Sequence, residues 1–300
     1  MKRFLSFAPL LMCAGLAVTA RAGAQETPAP ATPAPAASPT FMDRAYDGNL
    51  HILAAPYVWA PTVGGTFQYT IPNLPRRGRG TRQTSVSVPP VDYLPKVNSA
   101  VMFAFDARKG GIDVFGDYIY LNATATASAA ATLTGRFGRL NVPISLSSNA
   151  RVRESIWEAA AGFTVARGHA ADLSIFTGMR EFPLNFTFDY NATVGRRRPF
   201  STSGSVLVAG IAQDVIFGLR GKAYFGDGHW YVPYYVDVGG GIGQLNNTTW
   251  QAYSGAGYTF NHGQSLIALY RDLRFFNLPP VSPVQKLSMY GPLFGYTFNL

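Results

Sequence analysis

The sequence predicts an all-β chain, a transmembrane antiparallel β-barrel of 10–12 strands with 12 favoured. Three observations carry this. From about Leu50 onward the chain is a series of segments about ten residues long in which apolar and polar residues alternate, the period of a strand with one greasy face. No segment shows a sustained helical apolar stripe, and after the first two dozen residues no apolar run reaches the roughly 20 residues of a membrane helix. Charged residues make up only 14% of the chain and aromatic residues also 14%, whereas roughly a quarter of the residues in a soluble domain are charged.

Residues 1–24 read as a secretory signal peptide. Lys2 and Arg3 precede the short apolar run "FLSFAPLLMCAGLAVTA", and small residues in A-x-A spacing place cleavage after Ala24. The run is short for a permanent membrane helix and contains Pro9, and Met12 stands before Cys13 where a lipoprotein signal has a small residue. Cys13 is the only cysteine, so the exported chain carries no thiol, disulfide or cysteine metal site. Loss of Lys2, Arg3 and Arg21 lowers the formal charge from +9 to +6. That charge is scattered, which with export argues against a nucleic-acid partner. Residues 25–48 are a Pro/Ala-rich periplasmic linker, opening "QETPAPATPAPAASPT", with no means of building a core.

Residues 49–300 are the barrel. "NSAVMFAFDAR" sets Val101, Phe103 and Phe105 against Met102, Ala104, Asp106 and Arg108, and "IDVFGDYIY" sets Ile112, Val114 and Tyr118 against Asp113 and Asp117. "SIWEAAAGFTV" sets Trp157, Phe163 and Val165 against Glu158 and Thr164. "DVIFGLRGKAYF" sets Val215, Phe217, Leu219 and Phe225 against Asp214, Arg220 and Lys222, and "TTWQAYSGAGYTF" sets Trp250, Tyr258 and Phe260 against Thr249 and Gln251. A soluble sandwich would alternate as well. Two features favour lipid. Short turns at 108–111, 167–170, 225–230 and 261–264 alternate with longer outside connections at 72–97, 123–150, 191–212 and 239–247, and rings cluster near strand ends (Tyr118, Tyr120, Trp230, Tyr231, Trp250, Phe275, Phe276) as two interfacial girdles. The greasy faces are then expected to meet lipid and the polar faces to line a crowded, wet lumen. Nine strands are expected from Asn98 onward. Residues 51–70 are either one long bent strand, for ten in all, or the stretch to Pro89 holds three, for twelve.

The last ten residues, "GPLFGYTFNL", continue the pattern to the chain end. Phe294, Tyr296, Phe298 and Leu300 share one face, which needs the bilayer to cover it, and the strand closes the barrel against the first.

The segments "APYVWAP" (55–61), "FDARKGG" (105–111), "GDYIYLNA" (116–123), "VDVGGG" (236–241), "TTWQAYSGAGYTF", "YRDL" (270–273) and "GPLFGYTF" (291–298) resemble those of uncharacterised outer-membrane β-barrel proteins of Gram-negative bacteria, over roughly residues 50–300. The resemblance implies residence in the outer membrane and insertion by the barrel assembly machinery. Substrates of that machinery end in alternating aromatics with a terminal Phe, so that Phe294, Tyr296, Phe298 and Leu300 form the assembly signal, with Leu300 standing where those substrates carry Phe. It brings no settled activity.

For function the leading expectation is a narrow pore for small solutes lined by Asp113, Asp117, Glu154, Glu158, Arg180, Arg220 and Lys222. The rival is a non-conducting structural or surface-interaction barrel plugged by the same charges and acting through its outer loops, and a lipid-modifying enzyme is third. Catalysis is not expected. His51, His169, His229 and His262 all sit at the end assigned to the periplasm, and carboxylate chemistry at Asp113 and Asp117 or at Glu154 and Glu158 is weighed below simple pairing with Arg108, Arg180, Arg220 and Lys222. No metal spacing, phosphate loop or cofactor motif is visible, "VGGGIG" (238–243) lacking a following helix. "RRGRGTR" (76–82, with Arg76, Arg77 and Arg79) and "GRRRP" (195–199, with Arg196, Arg197 and Arg198) are candidates for contact with lipopolysaccharide phosphates, beside the plainer reading of solvated loops.

Overall fold

The computed structural model describes residues 46–70, 81–134, 141–194, 200–242, 247–260, 263–276 and 284–300. The expected signal peptide, nearly all of the expected linker, His262 and both arginine runs except Arg82 lie outside the described residues.

Alternation becomes strand throughout. In chain order these are β1 (Leu50–Trp59), β2 (Thr62–Thr70), β3 (Thr81–Val88), a single helical turn α1 (Pro90–Tyr93) continuing as a 3-10 turn (Leu94–Lys96), then β4 (Val97–Lys109), β5 (Ile112–Thr134), β6 (Asn141–Arg167), β7 (Asp172–Val194), β8 (Phe200–Phe225), β9 (Trp230–Gly241), β10 (Thr248–Thr259), β11 (Ser265–Phe276) and β12 (Val284–Asn299). All pair antiparallel in the order β1-β4-β5-β6-β7-β8-β9-β10-β11-β12, and β1 closes the ring on β12 from Leu53↔Asn299 to Trp59↔Leu293. The terminal strand is thus covered on both edges, and the Leu300 amide bonds Ile52 O at 2.8 Å.

Both readings of the strand number are present at once. Pro61 has no N–H to give a ladder, and the strand run breaks there into β1 and β2. Both halves pair with β12, β1 on its C-terminal half and β2 on Val284–Tyr290. Ten strands close the barrel, and β2 with β3 stands outside the ring as a hairpin, making twelve. Tight turns carry glycine where the backbone requires positive φ, as at Gly110 (57°) and Gly228 (86°).

Two expectations need correction. Residues 123–150 and 191–212 are for the most part strand rather than loop: β5 to β8 run far beyond the 9–11 residues that cross a bilayer. In the sequence these stretches lack the alternating greasy face by which the other strands were recognised. The inward face is also not uniformly polar. Leu269, Leu273, Phe275, Leu287, Met289 and Leu293 point inward and are buried, as is Tyr231, so Phe275 and Tyr231 belong to the interior and not to a girdle. The outward residues of the closed barrel form the expected apolar belt, with Val101, Phe103, Phe105, Val114, Phe217, Leu219, Val238 and Phe294 all exposed.

Candidate functional site

The interior is filled in layers from the end bearing the tight turns and the C-terminus. At the mouth, Tyr46 on the segment entering β1 donates its hydroxyl to Asp172 and accepts from Arg108 Nη1 at 2.7 Å. Its ring lies between the Arg108 and Arg167 guanidinium groups, 4.9 and 4.6 Å from its centroid. Burial pushes this phenol up to about 12. Arg108 pairs with Asp172 at 2.9 Å, the Lys222 amide donates to the same carboxylate at 2.7 Å, and Lys222 Nζ stands 5.3 Å over the Tyr231 ring. Tyr231 fits because Gly257 faces it; a Cβ there would lie 2.2 Å from the ring.

One layer in, Arg220 pairs with Asp106 and with Asp113 Oδ2 at 3.2 Å and lies 4.0 Å over Phe115. Phe115 meets Phe176 edge-on at 5.1 Å, Phe176 stacks on Tyr235 at 5.0 Å, and Tyr235 stacks on Tyr253 at 4.6 Å.

At mid-height Asp117, Glu158, Arg180 and Asp214 stand opposite one another in a single row across β5 to β8. The neighbouring carboxylates Asp117 and Glu158 are tolerated because each holds its own guanidinium, Arg271 and Arg180. Arg180 Nη2 donates to Glu158 Oε2 at 2.8 Å and also to Asp237, while Nη1 donates to Thr249 at 3.2 Å. Arg271 Nη1 donates to Asp117 at 2.5 Å and Arg271 Nε to Gln251 Oε1 at 2.8 Å. Tyr57 and Tyr235 donate to Asp117 and Glu158, each at 2.5 Å. Beyond this layer Trp59, Ile119, Ile156, Phe182, Ala212, Leu273, Phe275, Leu287 and Met289 form one apolar cluster, with Phe182 stacked on Phe275 at 5.1 Å. Asp214, at the end of the row, accepts from Asn247 Nδ2 at 2.5 Å.

Asp113, Asp117, Glu154, Glu158, Arg180, Arg220 and Lys222 therefore all stand on inward faces, but at different heights: Lys222 at the mouth, Asp113 and Arg220 in the next layer, Asp117, Glu158 and Arg180 at mid-height, Glu154 above them. Four further members were not named among the lumen-lining residues: Asp106 and Gln251, which stood on faces read as polar, and Arg271 and Asp237, which did not. Asp237 was within reach, since "YYVDVGG" places it between Val236 and Val238. Arg271 was not, because both faces of "LIALYRDLRFF" are greasy and nothing in the spacing says which turns inward. His51 bonds Asp47 at 2.8 Å and His229 Nδ1 donates to the Thr259 carbonyl at 2.7 Å, both at the mouth end. Among the described residues no group of three or more His, Cys, Asp or Glu side chains comes together as a metal site.

Neither a family model nor a curated protein matches the chain. Solved structures do. The outer membrane protease OmpT from Escherichia coli aligns with 83% of this chain and 97% of its own at 9% identity and a TM-score of 0.50. The fold is that of an outer-membrane β-barrel. Looser likenesses, too loose to carry an argument, include the translocator domain of the autotransporter NalP from Neisseria meningitidis (13% identity, 86% of this chain and 92% of that one, TM-score 0.34) and the Pseudomonas putida toluene transporter TodX (11%, 88% and 93%, 0.31). An apolar belt around a closed ring of this fold places the chain in the outer membrane.

Proposed function

We propose that this chain is a non-conducting outer-membrane barrel that serves as a platform, holding the upper parts of β5 to β8 above the membrane as a sheet for contact with other molecules. The observation that carries the reading is the filled cross-section. An ion moving through the bore meets Arg180 and Arg271 with their guanidinium groups already held by carboxylates, and then a stacked apolar layer that offers it no ligand. A barrel whose inside is committed to its own stability has its outer end left for work. Each of β5 to β8 has about twice the length the bilayer needs, and the excess, on the order of 40 Å of strand, lies on one side of it.

The reading assigns no catalysis to the chain; a hydrolytic activity abolished by substituting one lumenal carboxylate would displace it. It also keeps the arginine runs at 76–82 and 195–199 for phosphates of the outer leaflet, and Phe294, Tyr296, Phe298 and Leu300 for the assembly machinery. Refolded protein in liposomes should give no swelling in isotonic arabinose. Swelling at a rate comparable to that of an open porin would support the pore instead.

A further inference from the structure

Above the barrel, the outer edge of β8 in the sheet formed by β5 to β8 carries no partner strand among the described residues. β8 is paired with β7 over its whole upper part, from Phe182↔Ala212 to Val194↔Phe200. Its other edge is occupied by β9 only from Asp214↔Gly241 downward, with one further bond from the Ile242 amide to Gln213 O at 3.0 Å. Among the described residues no strand pairs with that edge over residues 200–212. Every second residue there presents a main-chain N–H and C=O outward.

The sequence of the edge is "FSTSGSVLVAGIA". Natural sheets blunt such edges with Lys, Pro, inward charges or bulges, because a bare ladder is a template for another chain. This stretch contains no charged residue and no proline, its pairing with β7 shows no register shift, and Val206 and Val208 at its centre are strong strand formers. We infer that the upper edge of β8 is a β-strand-addition site for an extended polypeptide outside the cell, an inference that rests on the platform reading above and gives it a partner class.

The occupant continues the ladder that β9 leaves off, so it runs antiparallel to β8 and takes up main-chain hydrogen bonds in the register already set below. A second copy of this chain does not fit. Two barrels side by side in one membrane meet through their outer faces, which pack about 10 Å apart, whereas a ladder needs strands roughly 4.8 Å apart. Below Asp214, β9 already fills the edge through which a neighbour would have to approach.

The test uses refolded full chain and a fluorescein-labelled synthetic peptide of residues 184–194, the β7 segment that lies opposite residues 200–210 on the occupied edge. Saturable binding is expected, with none for a scrambled peptide, together with slowed amide exchange confined to 200–212. Two adjacent prolines, Ser205→Pro and Val206→Pro, then separate the edges, since consecutive N–H groups point to opposite sides of a strand. The one whose N–H faces away from β7 should weaken binding at least about tenfold with heat-modifiable migration unchanged. Failure of the wild type to bind, slowed exchange elsewhere only, equal binding to both proline variants, or a peptide-independent dimer through this edge would each overturn the inference. A silent barrel that binds no peptide defeats only this proposal, and a conducting barrel that binds it defeats only the platform.

Discussion

Arg180 shows what one residue does in a closed bore. Its guanidinium is fully buried and satisfies Glu158 and Asp237 together. Removing it leaves two desolvated carboxylates without a counter-charge, which costs about 3–5 kcal/mol. Arg180→Met should lose stability on that scale in urea unfolding from detergent micelles, and the triple variant with Glu158→Gln and Asp237→Asn should recover much of it. Tyr46 makes a separate, pH-dependent contribution. Its hydroxyl is held neutral from the ordinary 10.0 up to about 12, so what it adds to stability is fully present below pH 10 and is lost as pH rises through about 12. Tyr46→Phe should therefore melt lower than wild type at pH 8, by about 1 kcal/mol, with the gap closing toward pH 12. Glu158 and Arg220 could be placed inside from alternation, since Trp157 and Ala159 flank the one and Leu219 and Gly221 the other in the chain. Arg271 could not, because its strand is apolar on both faces and only the closed ring decides which one turns inward.

Single strands carry the contrast between lipid, lumen and water. Leu219 lies midway along the membrane-crossing part of β8, facing out opposite Val236, whereas Phe163 pairs with Ile112, the first residue of β5, at the rim. Leu219→Arg should cost about 2–4 kcal/mol and Phe163→Arg about 0–1, read from unfolding in lipid vesicles. Equal costs would mean that the depth assignment is wrong. Deleting residues 293–300 removes every pairing of β1 with β12, leaving β1 on β4 alone and the ring open, and takes the partner of nearly half of β11, so no heat-modifiable band should form. The membrane-crossing strands were legible because lipid on one side and side chains on the other impose a period of two. Above the bilayer that asymmetry is gone, and with it the signal: "NATATASAAATLT" and "NVPISLSSNARVR" read as loops, yet pair residue by residue from Asn122↔Arg153 to Thr134↔Asn141.

At the scale of the molecule, closure and filling depend on each other. Ten tilted strands enclose room for little beyond side chains, and these barrel walls contribute rings, guanidinium groups and carboxylates at every height from Tyr46 to Phe275. The strand number illustrates how far chain logic reaches. Parity from the short turns allowed ten or twelve, and the arrangement with ten in the ring and a hairpin outside it follows from Pro61, whose missing N–H was visible but whose effect on pairing was not. The claim that the bore is shut is open to one direct measurement, single-channel recording on the refolded chain in a planar bilayer beside the double variant Arg180→Ala with Phe275→Ala, which thins the polar layer and the apolar one together. Wild type should be silent while the variant passes current and favours cations, because Glu158 and Asp237 are left without Arg180. Steady conductance in the wild type that the double variant leaves unchanged would contradict the account.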